Sequence, residues 1–175
     1  MINELIILAN DLDERGLLKE ADLLDHILRK MAMADEAKTK RVSYSAVVLD
    51  SESADALKAA AEDFVPEGFV YNTKAGEPLP HHMTIKMGPL KDKYSEHYTV
   101  GDEVSLTVTH IGVSADAVAA KVVAPGPVKN KIPHITIAIP PGGKPSMSNK
   151  IPSEAFQEID PINVTGIVEE VPQKG

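Results

Sequence analysis

Two short segments with the same pattern constrain the fold of this chain more than any other feature. They are His82-Met83-Thr84-Ile85 and His134-Ile135-Thr136-Ile137. The alternation of polar and apolar residues predicts two β-strands, because successive side chains of a strand point to opposite faces of its sheet. Each strand then presents an imidazole and a hydroxyl on one face, about 6.5–7 Å apart along the strand. The two pairs would surround a single ligand if the strands face each other across a cleft.

The spacing of apolar residues predicts the other elements of the chain. Apolar residues three and four positions apart indicate a helical hairpin within residues 2–33, in a first unit of residues 1–36. Residues 37–41 are polar and charged, and are predicted to form a linker. Beyond the linker, the predicted elements are a strand over 42–50, a helix over 51–64 capped by Ser51 or Ser53, a short strand over 69–71, the first motif strand over 81–87, a hairpin of 104–111 with 117–123, the second motif strand over 132–139, and a last strand over 162–171.

This order of elements predicts two similar halves that each contribute one motif strand. The hairpins and the shortage of crossover helices favour antiparallel sheets. We therefore expect an α+β fold, in which residues 42–175 form two pseudo-symmetric lobes with antiparallel sheets around a central cleft, preceded by the helical hairpin. Two short amphipathic helices are not stable alone. The hairpin must dock on the main domain, on a second copy of itself or on a larger assembly, and the sequence leaves these three open.

The lack of cysteine and the uneven charge restrict the possible functions. With no cysteine among 175 residues, disulfides, thiolate metal sites and cysteine nucleophiles are excluded. The net charge is −8, but residues 81–150, which contain both motifs, hold eight lysines against five acidic residues. An acidic body argues against binding long duplex nucleic acid, whereas a local positive field suits a small anion. We expect no signal peptide and no membrane span, and place the protein in the cytoplasm.

The residue types in the two motifs are those that cleavage of a phosphodiester requires. The reaction needs a base for the attacking oxygen, an acid for the leaving oxygen, and donors for the other phosphate oxygens. Histidines with pKa values near ~6.5 can hold opposite protonation states at neutral pH, so His82 and His134 are predicted to be catalytic. Which is acid and which is base is left open. Thr84 and Thr136 are predicted to bind the phosphate as neutral donors. We expect this chemistry to need no metal and no other cofactor.

Four further residues are candidates for contact with a substrate. Lys86 shares the face of the first motif histidine by the two-residue period of a strand. Tyr44 is a candidate for stacking on a base, although a tyrosine in a strand more often belongs to the core. Ser148 and Lys150 belong to a polar loop that is placed to line the mouth of the cleft. His81 is predicted to lie behind its strand, since adjacent strand residues point to opposite faces.

The paired HMTI and HITI segments resemble the signature of the two-histidine (2H) phosphoesterase superfamily. That superfamily includes RNA 2′,3′-cyclic phosphodiesterases, the cyclic phosphodiesterase domains of tRNA ligases, and phage enzymes that degrade cyclic oligonucleotide defence signals. The resemblance covers residues 42–171, is softer in the flanking YSAVVLD, VTHIGVS and PPGGKPSMSNK segments, and does not extend to the helical hairpin. It implies two lobes around a cleft, metal-free chemistry, and the two histidines and two threonines of the motifs as the site.

The resemblance implies hydrolysis of a 2′,3′-cyclic phosphate, or of a related cyclic or 2′–5′ nucleotide linkage. The expected substrate is a small nucleotide or an RNA end. The two motif histidines are separated by 52 positions, which is short for the superfamily, so the second lobe is expected to be reduced. Two alternatives stay open. One alternative to the main reading is a phage-type nuclease that degrades cyclic oligonucleotide signals, and the other is a nucleotide- or RNA-binding module without turnover.

Overall fold

The computed structural model describes residues 41–173, whose regular structure is mainly six β-strands and one α-helix. The strands are, in chain order, β1 (Val42–Leu49), β2 (His82–Met87), β3 (Glu103–Val113), β4 (Val118–Val123), β5 (His134–Ala138) and β6 (Phe156–Pro172). The helix, α1, spans Ser51–Ala61, and short 3₁₀ helices span Glu62–Phe64, Asp92–Tyr94, Pro145–Lys150 and Ser153–Ala155. The helical hairpin predicted within residues 2–33 lies outside the described residues, as does nearly all of the predicted linker.

The six strands form a single sheet that closes on itself. The order around the sheet is β1-β2-β5-β4-β3-β6, and every neighbouring pair is antiparallel, including β6 with β1. The length of β6 makes this closure possible, because its 17 residues pair with β3 over residues 156–167 and with β1 over residues 166–172. Closure removes the free edges of the sheet and makes β2 and β5 neighbours although they are distant in sequence.

One continuous cluster of buried apolar side chains draws on all six strands and on α1. Its fully buried members include Val47, Leu57, Ile85, Leu106, Val118, Ile137 and Val164. The prediction of an α+β fold with two pseudo-symmetric lobes is therefore wrong, because this part of the chain is mostly antiparallel sheet closed into a barrel with one helix. The physical reason lies in β6. A single strand that pairs with both β1 and β3 merges the two expected sheets into one.

An aspartate caps α1 at its N-terminus. The Asp50 carboxylate accepts a hydrogen bond from the backbone N–H of Ser53 at 2.7 Å. The predicted caps, Ser51 and Ser53, lie inside the helix, because Asp50 satisfies the free backbone donor from one position earlier. The hydroxyl of Thr165 on β6 also donates to the Asp50 carboxylate, so the cap links the helix to the sheet. No helix within residues 41–173 is both long and apolar enough to cross a membrane.

Local elements agree with the sequence predictions more closely than the global arrangement does. β1 covers most of the predicted strand 42–50, and α1 with its 3₁₀ extension covers the predicted helix 51–64. β3 and β4 form the predicted hairpin. The predicted short strand over 69–71 makes only an isolated bridge, between Val70 and Ile139. The last strand begins at Phe156, earlier than the predicted start at residue 162, and this extension lengthens the pairing with β3, which residues 162–167 also make.

Candidate functional site

The two motif segments lie on neighbouring strands, with Met83 of β2 paired opposite Ile135 of β5. Met83, Ile85 and Ile135 are fully buried members of the core cluster. Because strand side chains alternate between faces, the histidines and threonines of both motifs project from the opposite side of the sheet. The predicted division of each motif into a core face and a polar face is confirmed.

A pocket of about 380 Å³ contains the polar side chains of both motifs. The register with Met83 opposite Ile135 sets His82 beside Thr136, and Thr84 beside His134, across the strand pair. The other residues that line the pocket are Tyr44, Thr73, Glu77, Pro78, Leu79, His81, Met87, Asn130, Pro145, Ser146, Ser148, Asn149 and Val171. A concave pocket of this size with a few converging polar groups is typical of a small-molecule site.

His134 is held by contacts at both ring nitrogens. Its Nδ1 lies 2.7 Å from the carbonyl oxygen of Ile132, and its Nε2 lies 3.0 Å from Oγ of Ser148. A carbonyl oxygen only accepts hydrogen bonds, so Nδ1 carries a proton and the neutral ring has its lone pair at Nε2. Burial lowers the pKa of His134, and the hydrogen bond to Ile132 acts in the opposite direction. His134 is therefore neutral near pH 7, with Nε2 as its basic nitrogen.

The buried hydroxyl of Ser148 is shared among three groups. Besides Nε2 of His134, its Oγ lies 2.8 Å from Oγ1 of Thr136 and 2.7 Å from the carbonyl oxygen of Pro145. A hydroxyl has one proton to donate. Ser148 therefore donates either to the carbonyl oxygen of Pro145 or to Nε2 of a neutral His134, and it donates to Pro145 when a protonated His134 ring donates to it. Ser148, a predicted substrate contact, lies in the pocket wall and contacts His134 and Thr136.

His82 lies between an aromatic ring and a second imidazole. It stacks on Tyr44 of β1, with ring centroids 4.9 Å apart and an interplanar angle of 24°. Its Nδ1 lies 3.0 Å from Nδ1 of His81. The pKa of His82 is lowered to about 4, first by burial and then by His81 and His134, whereas the Glu77 carboxylate acts in the opposite direction. His82 is therefore also neutral near pH 7.

The prediction that His81 lies behind its strand is wrong. His81 and His82 both line the pocket, and their rings are in contact. β2 begins at His82, so His81 precedes the strand and the alternation of faces does not extend to it. Tyr44, a candidate for stacking on a base, lines the pocket as well, and there it stacks on the His82 ring.

The predicted lysines lie away from the pocket wall. Neither Lys86 nor Lys150 is among the described residues that line it. The Lys86 ammonium donates to the carbonyl oxygen of Pro89 at 2.8 Å and lies 5.6 Å from the centre of the Tyr94 ring. The described part of the wall contains three histidines and Glu77, and neither lysine nor arginine. The lysine excess of residues 81–150 thus adds no lysine to this wall.

Glu77, Met87 and Asn130 are among the wall residues that the sequence analysis does not single out. Glu77 and Asn130 lie outside the strands and helices, where side-chain direction follows from no periodicity. Met87 ends β2 and is 67% exposed, so it offers apolar surface to a ligand at the pocket. For His81, the only signal was its position next to the first motif.

The site combines two neutral imidazoles and two threonine hydroxyls in one pocket. An imidazole with a free nitrogen can accept a proton, its protonated form can donate one, and hydroxyls can donate to oxygens that gain negative charge. Neither a protein-family model nor a curated protein sequence matches the chain. The function therefore has to be inferred from the chemistry of the pocket.

Proposed function

We propose that the chain is a metal-independent phosphodiesterase that hydrolyses a 2′,3′-cyclic phosphate, or a related cyclic or 2′–5′ linkage, in a small nucleotide or at an RNA end. The observation that carries this proposal is the convergence of two histidine–threonine pairs, from β2 and β5, on one pocket. One imidazole takes the proton of the attacking water, and the other gives a proton to the leaving ribose oxygen. Thr84 and Thr136 donate to the remaining phosphate oxygens as their negative charge grows.

The hydrogen bonds of His134 favour the role of base for this residue. Ile132 fixes the proton of the neutral ring at Nδ1, so Nε2 is the basic nitrogen, and it can accept a proton from water when the Ser148 hydroxyl donates to Pro145 instead. His82 then serves as the acid toward the leaving oxygen. Burial lowers the pKa of both rings in the free protein. A phosphate anion beside the rings favours their protonated forms, so binding of substrate opposes that effect.

The charge of the pocket favours a phosphodiester as the substrate. A phosphodiester carries one negative charge, whereas a terminal phosphomonoester carries up to two. The described part of the wall contains Glu77 and neither lysine nor arginine, so a second negative charge would have no permanent cation beside it. Tyr44, Met87 and Val171 supply aromatic and apolar surface on which a base and a ribose can pack.

The proposal is tested by measuring turnover of a substrate panel in EDTA with chromatographic detection of products. The panel contains the four nucleoside 2′,3′-cyclic monophosphates, 2′–5′ oligoadenylate, and cyclic di- and trinucleotides. His82→Ala and His134→Ala are compared with the wild type. His110→Asn is the matched control, because His110 lies on β3 and does not line the pocket. We expect turnover that survives EDTA, falls roughly 10²- to 10⁴-fold in each motif variant, and is unchanged in the control.

Each alternative predicts a different result in the same panel. Turnover confined to cyclic di- and trinucleotides would indicate the phage-type nuclease. Binding of nucleotide without product would indicate a nucleotide- or RNA-binding module. Turnover that disappears in EDTA would contradict metal independence, and turnover that persists in both histidine variants would refute the two-histidine mechanism.

A further inference from the structure

The contact between His81 and His82 differs in kind from the contact that holds His134. The carbonyl oxygen of Ile132 can only accept, so it fixes one tautomer of His134. An imidazole can donate or accept, and two Nδ1 atoms 3.0 Å apart share a single proton. The pair therefore has two neutral states. His82 donates and has a bare Nε2 in one state; His81 donates and His82 carries its proton at Nε2 in the other.

We propose that His81 is a positioning residue for His82. The two imidazoles form a His81–His82 dyad, in which the hydrogen bond between the two Nδ1 atoms turns Nε2 of His82 toward the ligand. When His81 donates in this bond, the proton of neutral His82 lies on Nε2, from which it can be transferred. The catalytic consequence rests on the proposed function. The existence of the dyad does not, because it follows from the contact between the two rings.

The surroundings of His82 leave one ring nitrogen for a ligand. Tyr44 covers a face of the ring, and His81 meets its edge at an interplanar angle of 85° with centroids 5.2 Å apart. Nδ1 is engaged by His81, so Nε2 remains. The charged and titratable groups that face the dyad are Tyr44 on β1, Glu77 in the loop before β2, and His134 on β5. Glu77 favours a proton on His82, whereas a protonated His134 disfavours one.

The dyad allows His82 to act as an acid from its neutral form, without first being protonated to a cation. As Nε2 of His82 gives its proton to the leaving oxygen, Nδ1 of His81 gives its proton to Nδ1 of His82. His81 is only partly buried as a residue, and its Nε2 takes a proton from solvent. One proton enters the dyad and one leaves, so both rings end neutral. His134 takes the proton of the attacking water and returns it to solvent.

Nitrogen-15 NMR of the histidine rings in the full chain tests the dyad directly. The comparison uses the wild type, His81→Phe, which keeps a ring without a hydrogen bond, and His81→Asn, which keeps a hydrogen-bonding group that does not titrate. We expect the two ring nitrogens of wild-type His82 to report exchange between both neutral tautomers, and those of His81→Phe to report a single tautomer. The pKa of His82 should rise in both variants, because the repulsion from a neighbouring imidazole is lost.

Kinetics on the best substrate of the panel tests the consequence for turnover. Outer partners that orient metal-bound imidazoles are worth roughly 10- to 100-fold in activity, and we take the same scale for the partner of an imidazole that transfers protons. We therefore expect His81→Phe to lower kcat by this amount at unchanged KM, His81→Asn to restore part of the loss, and His110→Asn to change neither constant. Cooperative urea unfolding confirms that each variant is folded.

Two results would overturn the proposal. One is a His82 ring whose nitrogen shifts and pKa are the same in the wild type and in His81→Phe. The other is a His81→Phe protein with wild-type kcat. If the wild type turns over no substrate, the proposed function fails, and the nitrogen shifts alone then decide whether the dyad exists.

Discussion

Met83 of β2 lies directly opposite Ile135 of β5, and this is the one register pair between the two strands in the described chain. Both side chains are fully buried. The other face of the same two strands carries the histidines and threonines that line the pocket. The β2–β5 seam, defined here by this residue pair, therefore positions both halves of the site.

Ile135→Ala should lower the free energy of unfolding by about 2–5 kcal/mol, because it removes a fully buried side chain and leaves a cavity at the seam. Urea unfolding measures the change. Val123→Ala on β4 is the matched control, since Val123 is 59% exposed and its truncation should cost much less. Equal losses in the two variants would mean that Ile135 does not pack as described.

Ser148→Ala should destabilise the chain by about 1–3 kcal/mol, because it removes a buried hydroxyl from its contacts with His134, Thr136 and Pro145. Ser146→Ala in the same 3₁₀ helix is the control, with an exposed residue and an expected change within about 0.5 kcal/mol. Urea unfolding and turnover are measured on both. Turnover of Ser148→Ala should fall less than that of His134→Ala. A larger fall would make Ser148 part of the chemistry rather than a support for His134.

The lowered pKa of His82 predicts that stability rises with pH between about 4 and 6.5. In this window the unfolded state, with a histidine pKa near ~6.5, binds more protons than the folded state, so acid favours unfolding. The decrease in the free energy of unfolding that this one group causes approaches roughly 3 kcal/mol below pH 4. His82→Asn removes the titrating ring. Urea unfolding at pH 4.5, 5.5 and 7 should show that the free energy of unfolding falls less with decreasing pH in the variant than in the wild type. A constant difference across the three pH values would count against the lowered pKa.

A non-hydrolysable cyclic phosphodiester should bind more tightly as the pH falls from 7.5 to 5.5. The charge of this ligand is constant over the range, whereas both motif histidines are neutral in the free protein and are favoured in their protonated forms by a bound anion. Linkage predicts up to about a tenfold gain per pH unit for each proton taken up. Calorimetry in buffers of different ionisation enthalpy measures this uptake, and His82→Asn should reduce it. Binding without proton uptake would show that the rings remain neutral in the complex.

The parts of the structure that sequence predicted are those that depend on near neighbours. The alternation in the motif strands placed Met83 and Ile85 in the core and His82 on the polar face, since a pleated strand imposes this on any sequence. Closure of the barrel depends on contacts such as Val42 with Pro172, which are 130 positions apart. No local periodicity contains that register, so the same predicted strands are compatible with two open lobes and with one closed sheet.

The errors at the site also have local physical causes. The prediction for His81 fails because it applies the alternation of faces to a strand that starts at residue 81, whereas β2 begins at His82 and leaves His81 outside that alternation. Lys86 was placed by the same alternation, but its long flexible stem carries the ammonium to the carbonyl of Pro89. Backbone periodicity fixes where a side chain starts and not where a long one ends.

The β2–β5 seam joins two strands through one register pair, while the pocket above it holds side chains from both strands. Under the proposed function, a bound phosphate contacts side chains of both strands at the place where the backbone pairing of the barrel is shortest. Because such a ligand binds only the folded chain, the occupied protein resists unfolding more than the empty one does. Under the proposed function, each turnover converts this stabilising ligand into product, and release of the product returns the barrel to its less stable empty state.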